Sequence, residues 1–131
     1  MPRISLIFAS LHVLLLLILV APIVRRRISR KIGIGSGGDE FLSRSIRVQG
    51  NFIEYVPIAL VMLLLLELSG LREVWLWAFG STLLTARVLH AYGLSGSAGT
   101  SPGRALGALL TFAVILAMAV TGLAIGWRLA G

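Results

Sequence analysis

The sequence predicts an all-α integral membrane protein: a bundle of four transmembrane helices in up-down-up-down order. Three observations predict it. The chain is 57% hydrophobic and 13% charged, where a soluble domain carries about 25% charged residues, and its mean hydropathy is +0.96. Four apolar segments follow one another, at about residues 4–24, 43–68, 74–92 and 102–129, with short connections between them. Seven of the twelve basic residues fall between Arg25 and Arg47, directly after the first segment. At 131 residues the chain is one membrane domain, 1–131.

Composition also excludes chemistry. With no cysteine there is no disulfide, thiol nucleophile or cysteine-held metal, and two histidines, His12 and His90, make no histidine-rich metal site. The net charge of +7 could suggest nucleic acid. Its concentration beside a membrane span reads instead as a topology signal and an anionic-lipid contact.

The first segment, Ile4–Val24, holds no charge over 21 residues, enough to cross about 30 Å of hydrocarbon. A signal peptide is the rival reading. Arg3 is the only early charge, no Ala-x-Ala site follows, and Arg25-Arg26-Arg27 flanks the segment, which suits a retained helix. His12 in its middle reads as a packed residue facing another helix. Arg25–Ser45 is expected to be a cytoplasmic loop by its arginine excess, with Gly33–Gly38 a flexible connector that lacks a phosphate-cradling motif. Both termini then lie outside.

The second segment contains Pro57, which tends to kink a helix, and ends at Ser69-Gly70, with Glu67, Arg72 and Glu73 marking a short outer loop. In the third, Trp75 and Trp77 suit the outer interface. Arg87 and His90 lie near its inner end, either as a snorkelling arginine with a polar neighbour or as part of a site. Gly93–Gly103 is expected to be a loop on composition. The fourth segment begins at Pro102 with Ser101 as N-cap, carries Arg104 at its start and ends near Trp127 and Arg128. It holds three rows of small residues: Gly103 and Gly107; Ala113, Ala117 and Thr121; Gly122 and Gly126. Such rows let membrane helices approach closely.

The chain is organised around Arg47-Val-Gln-Gly-Asn-Phe-Ile-Glu-Tyr-Val-Pro57. Arg47, Asn51 and Glu54 are spaced i, i+4, i+7, within about 60° of one another on a helix. A polar stripe at the lip of a membrane span is expensive, and usually faces a bundle interior or wet cavity and marks function; a helix–helix salt bridge or a headgroup arginine is the plainer reading. Arg87, His90 and Arg104 end or begin their helices at the same leaflet, so the polar chemistry converges there.

These residues resemble the family of membrane-associated proteins in eicosanoid and glutathione metabolism. Its second helix carries Arg-x-x-x-Asn-x-x-Glu, matched by Arg47, Asn51 and Glu54. The longer pattern of its leukotriene-synthase branch is matched by Arg47, Gln49, Asn51, Glu54, Tyr55 and Pro57. The resemblance, to a bacterial member, covers the whole chain. It implies a homotrimer in the inner membrane, with glutathione as co-substrate in a cleft between protomers, open to the cytoplasm. Arg47, Gln49, Asn51, Glu54 and Tyr55 would hold the peptide, and Arg26 matches an arginine that reaches a glutathione carboxylate. Arg87 matches the third-helix arginine, and Arg104, the expected catalytic residue, the one facing the thiol. His90 stands where the family's synthases carry a tyrosine, and Tyr92 is offset.

Guanidinium forks suit glutathione's two carboxylates, and Glu54, the stripe's only carboxylate, suits its ammonium. A lipophilic co-substrate can arrive laterally from the bilayer. The expected activity is glutathione transfer, with peroxidase activity toward lipid hydroperoxides a further expectation. The alternative is a non-catalytic lipid-binding protein of the same fold. Small multidrug transporters place a lone glutamate in the first helix, and this chain has none there.

Overall fold

The computed structural model describes residues 1–96 and 102–130 as four helices: α1 (Arg3–Arg30), α2 (Glu40–Leu68), α3 (Glu73–Gly96) and α4 (Pro102–Ala130). Ser101, the expected N-cap, and the rest of 97–101 lie outside the described residues. Helices α1, α2 and α4 are long and apolar enough to cross a membrane. Helix α3 falls short of that apolarity, because Arg87 and His90 interrupt it; both are buried in the bundle rather than turned outward.

Several helix ends differ from the sequence expectation. The basic run after the first apolar segment is helical to Arg30, not a loop. Arginine is a good helix former, so the hydrocarbon boundary is not the helix boundary. Lys31 closes α1 in the left-handed region at φ 54°. Asp39 opens α2 by accepting a 3.0 Å bond from the Leu42 amide, a side-chain N-cap. Helix α2 runs unbroken through Pro57. Gly93–Gly96 continue α3 and Gly103 belongs to α4, so the expected loop is shorter at both ends.

Contacts at the helix ends fix the order. The Glu67 carboxylate, inside α2 rather than in a loop, accepts 2.9 and 2.6 Å bonds from the Ile4 and Ser5 amides. A carboxylate there satisfies orphan donors and complements the positive end of the α1 dipole. Arg3 pairs with Glu73 at 2.6 Å, an exposed contact worth little by itself. These contacts bring together the start of α1, the end of α2 and the start of α3. At the opposite end Gly103 and Gly107 of α4 lie against Ala86, Leu89, His90 and Gly93 of α3. The bundle is therefore up-down-up-down. Among the described residues no Cα atom of α1 comes within 8 Å of one in α4.

The interior has two halves. Toward the Glu67 end it is apolar: Ile4, Phe8, Ala59, Leu63, Leu66, Leu76, Leu83, Val114 and Met118. Phe8 packs edge-to-face on Trp77 at 5.4 Å and fills the space over Gly80, where a Cβ would collide with its ring. Toward the other end the buried side chains include His12, Arg87, His90 and Thr111.

Candidate functional site

The α2 stripe divides between two surroundings. Val48, Phe52 and Val56 are buried, so the helix turns that face into the bundle. Asn51 is half-buried beside it, while Arg47 and Glu54 are exposed on the protomer surface. Gln49 and Tyr55 are half-buried, and Tyr55 meets Phe112 of α4 edge-to-face at 5.3 Å.

Arg87 lies inside, 1% exposed. It donates a 2.7 Å hydrogen bond to the Asn51 side-chain oxygen, and its guanidinium sits 5.8 Å from the centre of the Phe52 ring. Among the described residues no carboxylate is within ion-pair distance of it, although Glu54 and Tyr55 act on it electrostatically. A buried guanidinium needs hydrogen-bond acceptors or a counter-charge to offset its desolvation. Asn51 supplies the acceptor and the Phe52 face adds a cation–π contact. Arg87 is thus not a snorkelling arginine. It fixes the central residue of the stripe from behind.

His12 occupies the other side of this region as a packed residue: 1% exposed, bonded through Nδ1 to the Phe8 carbonyl at 2.7 Å, and 6.0 Å ring-to-ring from Phe52. His90, 4% exposed, lies between Arg87 and the start of α4. Arg104 is half-buried and within electrostatic reach of His90. The α3–α4 approach sets this spacing. A Cβ on Gly107 would stand 2.5 Å from the His90 nitrogen and 2.7 Å from the Ala86 oxygen, so only glycine admits the crossing that places Arg104 one turn away. Tyr92 is 81% exposed on one protomer.

Arg26 is engaged elsewhere. Its Nε donates to Asp39 at 2.7 Å, its guanidinium lies 5.6 Å from the Phe41 ring centre, and Arg30 flanks the same carboxylate at 3.9 Å. The Leu42 amide and, after it, Arg26 and Arg30 hold the Asp39 carboxyl below the usual carboxylate range. Within the described residues Arg26 makes no contact with the α2 stripe. The structure thus joins Asn51 to Arg87, sets His90 near Arg104, and leaves Arg47 and Glu54 facing outward from one protomer.

The MAPEG family model matches residues 5–124. The chain belongs to the MAPEG family. It is a membrane protein, with three helices able to span a bilayer. This MAPEG chain is 37% identical over 90 residues to the "Inner membrane protein YecN" of Escherichia coli strain K12, covering 69% of each chain. The protein of the same name from Escherichia coli O6:H1 strain CFT073 matches equally.

Four residues that fix the helices of this MAPEG protein or its site were not legible as such in its sequence. Phe52 was hidden because an aromatic in a membrane span reads as core. Asp39 carried a signal, an acidic residue just ahead of an amphipathic run, the mark of an N-cap. Glu67 carried another: a carboxylate attached to an apolar run, which ought to have a named partner. Gly107 was visible only as part of a small-residue row.

Proposed function

We propose that this MAPEG protein is a glutathione-dependent membrane enzyme. It conjugates glutathione to a lipophilic electrophile, or uses it to reduce a hydroperoxide, through a thiolate stabilised by Arg104. The observation that carries this reading is the outward aim of Arg47 and Glu54 on either side of Asn51. Opposite charges on a membrane helix do not face lipid without a partner. A zwitterionic, dicarboxylate ligand at a subunit boundary satisfies both.

In this reading four spanning helices form the protomer and three protomers assemble as a homotrimer. Ala113 and Ala117 of α4 are exposed on one protomer and suit close approach by a neighbour. The likeness to inner membrane proteins and the arginine-rich end of α1 support placement in an inner membrane with the site toward the cytoplasm. Arg47, Gln49, Asn51, Glu54 and Tyr55 bind the peptide. Arg87 and His90 support them from within, and Arg26 joins only by sharing or leaving Asp39.

The second reading, a lipid-binding protein without catalysis, draws on the apolar groove of about 740 Å³ between α2 and α4, lined in part by Met62, Leu65, Leu123 and Trp127. A binder has no use for a cation at a thiol, so Arg104 favours the enzyme. Titration of purified protein with glutathione, followed by ultraviolet thiolate absorbance, tests the choice. The enzyme shows saturable thiolate formation at neutral pH, and Arg47→Ala and Glu54→Ala each weaken it by about 2 kcal/mol, as for truncated charge pairs in a desolvated site. No thiolate signal, or unchanged affinity in folded variants, overturns it.

A further inference from the structure

A groove of about 600 Å³ runs between the end of α1 and the start of α2. Ile18, Ala21 and Pro22 line its part nearer the middle of α1, Arg25, Arg26 and Ser29 its lip toward the end of α1, and Phe41 of α2 forms the facing wall. The residues 18, 22, 25 and 29 recur at i, i+4, i+7 and i+11, so they lie on one face of α1. They extend over about 16 Å of helix, the depth from a headgroup phosphate into the upper acyl chain. Polarity is sorted in the same direction: apolar where hydrocarbon lies, cationic where phosphate lies.

The charges at the lip are unequal in their freedom. Arg26 is turned to Asp39 and stacked on Phe41. Arg25 is exposed and makes no ion pair or hydrogen bond among the described residues. Asp39 is already neutralised by Arg26 and approached by Arg30, so the lip keeps a positive excess. A phosphodiester carries one negative charge and takes a guanidinium fork, and the Ser29 hydroxyl stands one turn from Arg25, where it donates a 3.1 Å bond to the Arg26 carbonyl that a phosphate oxygen would replace.

We propose that this groove is a seat for an anionic glycerophospholipid, its phosphate on Arg25 and Ser29 and one acyl chain along Ile18, Ala21 and Pro22 against Phe41. The seat shares only Arg26, at its lip, with the glutathione reading; the phosphate and chain contacts are made by other residues, so it stands whether or not that reading holds.

The test is native mass spectrometry of protein taken from bilayer discs of equal phosphatidylglycerol and phosphatidylcholine. The wild type is expected to retain phosphatidylglycerol preferentially. Arg25→Gln lowers that preference about fivefold, the effect of one arginine at an anionic surface. Ala21→Phe, which fills the apolar part without changing charge, lowers it similarly. Lys31→Gln, an equal charge loss outside the groove, leaves it unchanged. If Ala21→Phe has no effect, or Lys31→Gln acts as strongly as Arg25→Gln, the attraction is diffuse and the seat is refuted. Inorganic phosphate displacing the lipid marks a soluble-anion site, and Ala21→Phe breaking an oligomer marks a second copy in the groove; either outcome also refutes it.

Discussion

The Arg87 guanidinium donates a 2.7 Å hydrogen bond to the Asn51 side-chain oxygen across the α2–α3 boundary, with the arginine 1% exposed. The one member of the α2 stripe that faces inward is thereby held by a permanent cation. Arg47 and Glu54 inherit their positions from a helix pinned at its middle.

Removing that acceptor is expected to cost stability. Asn51→Ala leaves a buried guanidinium without its partner and lowers stability by about 2–3 kcal/mol. Adding Arg87→Met removes the stranded charge, so the double variant should unfold later than Asn51→Ala alone. Thermal unfolding in detergent decides it. A double variant less stable than the single one means that Arg87 is satisfied by something other than Asn51.

Asp39 gives a pH signature. Its carboxyl titrates below the usual range in the folded protein, first through the Leu42 amide and then through the arginines. A depressed folded value means stability that is present above the unfolded value, near about pH 4, and lost as the pH falls through the folded one. Asp39→Asn keeps an N-cap oxygen and removes the charge. The gap in melting temperature between wild type and Asp39→Asn should be steady from pH 7 to 5 and close below about pH 4. A gap that persists in acid assigns the effect to something other than ionisation.

Gly107→Ala tests the α3–α4 crossing. The added methyl meets the His90 nitrogen, the Ala86 oxygen and the His90 Cβ, none of which a rotamer change can move, so the helices must separate at a cost of about 1–3 kcal/mol. Gly126→Ala, where a Cβ meets nothing within 4 Å, is the matched control and should be neutral. Equal melting temperatures for the two variants would show that the crossing is looser than described.

In the proposed enzyme Arg104 carries the chemistry. A cysteine-type thiol titrates near about 8.5, and a fixed cation at the start of α4, reinforced by the helix dipole, favours the thiolate. Lowering that value by two units takes about 2.7 kcal/mol. Arg104→Ala should keep most glutathione affinity, lose thiolate absorbance at neutral pH, and slow turnover at least about tenfold, with partial recovery as pH rises. Arg87→Ala should affect folding more than the thiolate. An intact thiolate signal in Arg104→Ala moves the activating group to His90 or Tyr92.

Much of the fold was legible because an apolar run long enough to span hydrocarbon has few alternatives. The helix ends were harder. Arg25–Arg30 and Gly93–Gly96 look like loop by charge and glycine content, yet nothing in either run forbids continuing a helix already begun. The stripe was legible as a spacing, since Arg47, Asn51 and Glu54 share a face on any α-helix. Which member turns inward was not, because that depends on where α3 sets Arg87. The pairing of Arg26 with Asp39, thirteen residues on, was not legible either, because it depends on how the chain turns between α1 and α2.

The capping of α1 by Glu67 has a consequence for how the chain is made. The Ile4 and Ser5 amides receive their acceptor from a residue more than sixty positions later, which a ribosome reaches only after α2 is nearly complete. Until then those donors have no acceptor from α2 and are left to headgroups or water. Once Glu67 arrives, it ties the start of α1 to the end of α2, so the first helix receives its cap only after the second is made.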